Sequence, residues 1–300
     1  MDPTQPRARR LYGHTAPVTS VASNLDGSFV LSGSTDNTAR LWDVKIGKEL
    51  YCFKGHKGSM PSVALDDQCR YAVIGCGNTA FTVWDARSGA FLYLHKVSHG
   101  RVSGVSISAD GSRILAVARD STFVVWDVGR ASLVWHSGFQ SAEFLCTDID
   151  DKAAVFATGC DRGNLSVWDI ESRTVRWGKR AHAGATNCVA ICTSTSTVVT
   201  GGDDNQMKIW DLYTGELLSI FQHSSWVRSV SISADGRFLA SVSEYSTVRL
   251  WDLLLRKEIW SYIYKSTIGG VSLSADGRAL AIGCGYDVVV KSVPHRRLKG

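Results

Sequence analysis

Proline is scarce in this chain, five among 300 residues, and 44% of the residues are hydrophobic against 20% charged. That balance excludes a disordered polymer, which cannot bury enough apolar surface to offset the entropy of ordering the chain. Long apolar runs are missing as well: nothing approaches the roughly 18 consecutive apolar residues that cross a bilayer as a helix. Met1 to Arg10 is polar and carries Arg7, Arg9 and Arg10 where a secretory signal has an apolar centre. Neither secretion nor membrane insertion is expected.

Paired-cysteine motifs are also absent. Of the eight cysteines the closest two, Cys188 and Cys192, are separated by three residues, and no pair has the two-residue gap of a zinc ribbon or a thioredoxin-like site. No metal and no cofactor is implied, and eight unpaired thiols fit a reducing compartment, cytosolic or nuclear. A net charge of +5 is modest for this length. Its visible concentrations are at the two ends, in Arg7, Arg9 and Arg10 and in His295, Arg296, Arg297 and Lys299. They permit an anionic partner without demanding one.

What the chain does have is a repeat. Trp-Asp pairs stand at Trp42-Asp43, Trp84-Asp85, Trp126-Asp127, Trp168-Asp169, Trp210-Asp211 and Trp251-Asp252, with tryptophan spacings of 42, 42, 42, 42 and 41. A further step of 41 falls on Ser292-Val293, where the pair is lost, yet Ser274-Ala275-Asp276-Gly277-Arg278 repeats Ser233-Ala234-Asp235-Gly236-Arg237 at that offset. A seventh, degenerate unit is therefore present. Short apolar, β-branched runs alternate with turn residues inside each unit, as in Val18 to Ala22, Phe29 to Ser34, Ala39 to Trp42 and Glu49 to Phe53. Each unit reads as four short strands, lettered a to d in chain order. Asp-Gly dipeptides at 26–27, 110–111, 235–236 and 276–277 supply the positive φ of tight hairpins.

A period near 40, Gly-His at Gly13-His14 and Gly55-His56, and the Trp-Asp ending resemble the WD-repeat β-propeller family over essentially the whole chain. The resemblance implies an all-β, seven-bladed propeller of four-stranded antiparallel blades. Arg9-Arg10-Leu11-Tyr12 precedes Gly13-His14 as Cys52-Phe53-Lys54 precedes Gly55-His56, so the N-terminal segment is expected to supply the missing outer strand of blade 7 and close the ring. The expected organisation is one propeller over 1–300. An outer strand at 7–12 belongs to blade 7, blades follow at 14–53, 56–95, 98–137, 140–179, 182–221, 223–262 and 264–293, and 294–300 is a tail.

In the family a histidine, a hydroxyl, an aspartate and the tryptophan of strand c form a hydrogen-bonded chain within the blade. Two units match in full, with identical internal spacings of 18, 4 and 6: His14, Ser32, Asp36 and Trp42, and His182, Thr200, Asp204 and Trp210. Other units keep fragments. The second has His56 and Trp84 with Ile74 and Asn78, the third Asp120 and Trp126 with Ala116, and the sixth His223, Ser241 and Trp251 with Tyr245. Because these sets recur with blade spacing they read as structural networks and not as a Ser/His/Asp triad.

Aromatics recur nine residues after the tryptophan, as Tyr51, Tyr93, Trp135, Trp177 and Trp260, with Ser219 the exception in the fifth unit. They read as packing between neighbouring blades, with a side-wall contact site as the alternative. The resemblance places the loops before strand a and the residues before the b–c aspartate on the face such propellers use for partners. Trp226, Arg228, Arg101, Arg119, Glu143, Asp203 and Glu244 are the candidates there, tryptophan and arginine being the types that dominate interface hot spots. No catalytic residue is named, because no His cluster, paired-carboxylate motif or Gly-rich phosphate loop occurs. The expected function is a non-catalytic protein-interaction scaffold binding proteins or peptides within a larger assembly. A nucleic-acid-associated subunit using the basic termini is the alternative, and an enzyme with a channel site comes third.

Overall fold

A computed structural model describes residues 8–55, 58, 60, 62–138 and 142–293. Arg7, His56, the residue 140 boundary of blade 4, and His295, Arg296, Arg297 and Lys299 lie outside the described residues. The described chain forms seven four-stranded antiparallel sheets, all β. Six are sequence-consecutive. In blade 1 the strands are Val18–Ser23, Phe29–Ser34, Ala39–Asp43 and Lys48–Phe53. The seventh takes Ile268–Leu273, Ala279–Cys284 and Asp287–Ser292 from the C-terminal end and Ala8–Leu11 from the N-terminal end. Ala8 to Leu11 pair antiparallel with Lys291 to Val288, which is the closure expected from the sequence.

Each of the seven apolar clusters belongs to one interface between neighbouring blades. Leu31, Leu41, Phe53, Ile74 and Ala86 fill the interface between blades 1 and 2, for example, and Leu11, Trp42, Val288 and Val290 that between blades 7 and 1. The core is thus a ring of seven interfaces. A bulge in strand d organises each of the first six: the register shifts between Leu41 and Trp42 in blade 1 and at the equivalent residues through Leu250 and Trp251 in blade 6. An extra residue in one strand re-aims the side chains that follow it. The residue nine after the tryptophan thereby comes opposite the residue just before it, and Tyr51, opposite Leu41, and Trp177, opposite Val167, pack on the next blade.

Blade 7 corrects one detail of the repeat. Its b–c hairpin joins Cys284 to Asp287, one residue tighter than the Ser243 to Thr247 connection of blade 6. The shortened turn moves the Trp-Asp positions back by one, to Lys291 and Ser292, with Leu280 opposite Lys291 as Leu239 is opposite Trp251. Lys291 replaces the buried indole with a cation whose Nζ lies 4.4 Å from the ring of Trp260 and 5.0 Å from that of Tyr262.

Deleting residues 1–12 is expected to leave strand Asp287–Ser292 as an open edge, to remove the buried Leu11, to lower Tm by at least about 5 °C and to promote self-association. Calorimetry and sedimentation of the truncated chain check this; unchanged melting and a monomer would show that the ring closes without its N-terminal strand.

Candidate interaction surface

The polar networks fix the loops at one end of the ring. In blade 1 the His14 ring lies between Asp36 and Ser32, with Nδ1 2.8 Å from Asp36 Oδ2 and Nε2 2.8 Å from Ser32 Oγ, and Trp42 Nε1 donates to the same hydroxyl at 2.8 Å. Blade 5 repeats this with His182, Asp204, Thr200 and Trp210 at 2.7, 2.9 and 2.9 Å. Burial lowers both histidines below their ordinary value, against the raising effect of the aspartate. The rings are neutral at pH 7, enclosed, and committed on both nitrogens, as structural groups and not as bases facing a substrate. Burial likewise pushes Cys69 and Cys188 up to about 12 and Cys76 to about 11, so these thiols stay protonated.

Incomplete networks leave orphans. Blade 6 keeps the His223 Nε2 to Ser241 contact at 3.0 Å and the Trp251 bond at 2.9 Å, but Tyr245 stands exposed where the aspartate would be. His223 Nδ1 is then buried without a hydrogen-bond partner, and burial holds this histidine down at about 4. In blade 3, Ala116 removes the hydroxyl and Trp126 Nε1 is unpartnered.

In six blades the first N–H of the b–c turn donates to a carbonyl 18 residues earlier, in the loop leading into strand a. Arg119 is joined to Arg101 this way at 2.9 Å, Asp161 to Glu143 at 3.0 Å, Asp203 to Ala185 at 3.1 Å and Glu244 to Trp226 at 2.9 Å. These bonds put six of the candidates at one end of the ring, and the pairing of Arg228 with Glu244 places the seventh with them, in two groups. Arg101, Arg119 and Glu143 belong to blades 3 and 4, where Arg119 and Glu143 approach to 3.9 Å across the seam and are both half-exposed. Asp203, Trp226, Arg228 and Glu244 belong to blades 5 and 6. Arg228 is their centre: its guanidinium stacks 4.9 Å from the Trp226 ring, pairs with Glu244 through Nε, and lies 3.7 Å from Asp203.

One member of this second group has no counterpart in the sequence reading. Asn187, the second residue of strand a in blade 5, donates from Nδ2 to Asp203 at 2.8 Å and to Val227 O at 3.1 Å, and accepts from Arg228 at 3.4 Å. Its repeat position is that of Arg228, and that equivalence is the signal that could have found it. Trp226, 46% exposed, is therefore backed by a cation whose charge is met by two carboxylates. The ring axis holds a cavity of about 270 Å³ lined by the inner strands. At one level of it Ala22, Ala64, Ser106, Ala190, Ser231 and Ser272 are small, and Asp148 alone is acidic. Burial pushes Asp148 up to about 7, and its carboxyl accepts the N–H groups of Ile191 at 2.8 Å and Ile149 at 3.0 Å.

Comparison with known proteins agrees with this architecture. The model of the WD domain, G-beta repeat family matches residues 5–43, 92–127, 175–211 and 215–252, half of the chain. The chain belongs to the WD40 repeat family. Similar curated proteins include transcription initiation factor TFIID subunit 5 of Arabidopsis thaliana, 45% identical over 53 residues that make up 16% of this chain and 8% of that protein. Another is the small ribosomal subunit protein RACK1 of Drosophila melanogaster, 50% identical over 40 residues, 13% of each chain. The matches thus span only a small part of those relatives' lengths. Among solved structures, that of U3-55K superposes with a TM-score of 0.87 at 21% identity, covering 96% of this chain and 100% of that one, a likeness of fold.

The WD40 network also supplies a test of the orphaned histidine. Tyr245→Asp is expected to give His223 Nδ1 its carboxylate, to stabilise the chain by about 1 kcal/mol at pH 7, and to raise the histidine's pKa. With a folded value near 4 and an unfolded value near 6.5, His223 costs stability as the pH falls from about 6.5 to 4. The variant should lose less over that window. Equal pH slopes of Tm in the two proteins would show that the carboxylate does not reach the ring.

Proposed function

We propose that this WD40 propeller is a non-catalytic scaffold that binds a peptide segment of a partner protein on the end of the ring that carries Trp226. The observation that supports this most directly is the construction of the blade 5–6 group: an exposed indole held in place by a guanidinium that Glu244, Asp203 and Asn187 immobilise. A rigid, half-exposed tryptophan loses little entropy on binding and offers a large apolar contact. Because carboxylates compensate the Arg228 charge, recognition rests on the indole and on shape more than on attraction of an acidic partner. Two relatives are named as subunits of transcription and ribosomal assemblies, which supports a role inside a larger complex. Eight cysteines without a disulfide support a cytosolic or nuclear setting.

A nucleic-acid role for the basic termini draws less support. Arg9 donates to Val44 O at 2.6 Å and also to Lys45 O, and Arg10 pairs with Asp287 at 3.1 Å, so two of the N-terminal cations hold the ring together.

Partners recovered from native extract and identified by mass spectrometry should bind Trp226→Ala at least about 30-fold more weakly than the parent, the loss of a hot-spot anchor of about 2 kcal/mol. The pair Arg101→Ala with Arg119→Ala is expected to have a smaller effect, concentrated in the association rate. Folded variants that bind as tightly as the parent would move the recognition surface elsewhere. Affinity that collapses steeply with salt would favour nucleic acid.

A further inference from the structure

Seven seams join the blades, and six are plugged at the same place by a large side chain from the outermost strand. Tyr51, Tyr93, Trp135, Trp177 and Trp260 pack into five of them. The seam between blades 7 and 1 is plugged by Arg9, which pairs with Val290 in the register that the aromatics hold in the other blades. Three of the plugs bond to a carbonyl in the c–d turn of the following blade. Tyr51 Oη donates to Arg87 O at 2.7 Å, Trp177 Nε1 to Leu212 O at 2.9 Å, and Arg9 to Val44 O at 2.6 Å.

The exception is Ser219, in register opposite Ile209 but with a side chain too short to cross the seam to blade 6. A cavity of about 430 Å³ occupies that place, lined by Ile209 and Phe221 on one side and by Leu253 and Leu254 on the other. The turn facing it is unlike its counterparts. Leu254 and Leu255 are 71% and 50% exposed, where the turns of blades 1 to 5 have Lys45-Ile46, Arg87-Ser88, Gly129-Arg130, Glu171-Ser172 and Tyr213-Thr214. Leu218, half exposed on the blade 5 side, extends the same apolar rim. Exposed leucines are ordinary singly, but grouped around a cavity they mark a contact site. Three charged residues also line the cavity: Asp235, Arg237, which pairs with Asp252, and Arg256, which makes no ion pair among the described residues.

We propose that the gap left by Ser219 is a docking slot for an aromatic side chain, tryptophan or tyrosine, presented with an acidic neighbour by an extended segment of a partner protein. The shape of the occupant is given by the other seams: an aromatic ring crossing from one blade to the next, with its polar tip reaching the carbonyls of Leu253 or Leu254. The acidic neighbour is specified by Arg256. Residues 1–7 and 294–300 contain no Phe, Trp or Tyr. The slot lies on the side wall and does not depend on the Trp226 face.

A short fluorescein-labelled peptide with a central tryptophan flanked by leucine and aspartate is the probe, read by anisotropy, with its tryptophan-to-alanine version as control. The parent chain should bind the first peptide saturably and the control at least about tenfold more weakly. Ser219→Trp should plug the slot, raising Tm by at least about 2 °C and weakening the peptide at least about tenfold. Leu254→Asp should weaken it several-fold at unchanged Tm, and Trp226→Ala should leave it unchanged. A lower Tm or loss of folding in Ser219→Trp would show that the gap is not shaped for an aromatic ring and would overturn the proposal, as would undiminished peptide binding in Ser219→Trp or in Leu254→Asp. A parent dimer that Ser219→Trp converts to monomer would assign the slot to a second copy of this chain and would likewise overturn it.

Discussion

A four-stranded sheet with apolar residues on both faces is stable in water only where something covers each face, and in this chain the cover is the next copy of the same sheet. An open row of blades leaves an apolar face at each end, which a capping unit or closure can cover, and here the row closes into a ring. That constraint explains why the core divides into seven seam clusters, and why the N-terminal Ala8–Leu11 strand completes the last blade. It also explains Arg9. Where the closing strand has to plug a seam without an aromatic, a long side chain with a planar head reaches the same turn carbonyls that Tyr51 and Trp177 reach elsewhere.

The hydrogen-bond networks serve the ring differently from the seams. A buried His–Asp pair and a shared hydroxyl tie the loop before strand a, the b–c turn and the tryptophan of strand c into one unit. The geometry of the loops at the ring's end is thereby separated from their outward-facing residues, which can vary without disturbing the seams. Blade 6 shows what a missing member costs: a histidine nitrogen left buried without a partner, and a ring held neutral well below its usual range.

The fold was legible because its constraints recur. Six Trp-Asp pairs in register, the Asp-Gly turns and the matched spacings of two complete networks each repeat the same demand, and their agreement leaves one architecture. The seventh pair was misplaced by one residue because a single deletion in a hairpin turn is invisible where the residues it displaces, Lys291 and Ser292, no longer resemble tryptophan and aspartate. The role of Arg9 was hidden for a similar reason, since an arginine does not resemble the aromatics whose place it takes. The proposed recognition surface was less legible because its candidate residues do not repeat. Trp226 and Arg228 could be singled out by type, but nothing in the sequence shows that Asn187 and Asp203 reach across from blade 5 to hold the arginine. Ser219 could be read as an exception to a pattern, whereas the cavity beside it depends on what blade 6 places opposite.

Departures from the repeat carry the most information where the repeat is under the strongest physical demand. A buried aromatic ring contributes roughly 1.5–3 kcal/mol relative to an exposed one, so a seam with serine in its place forgoes stability that its neighbours have. The blade 5–6 seam combines that departure with a run of exposed leucines on its side wall and, at the ring's end, with the Asn187–Arg228–Trp226 group. Among the described residues the other seams do not combine them. Blade 5 meanwhile has one of the two complete networks, which fixes the loops on its side of the seam independently of seam packing. The seam that gives up an internal plug is thus flanked by one of the best-braced blades, an arrangement in which an open slot can persist without loosening the ring.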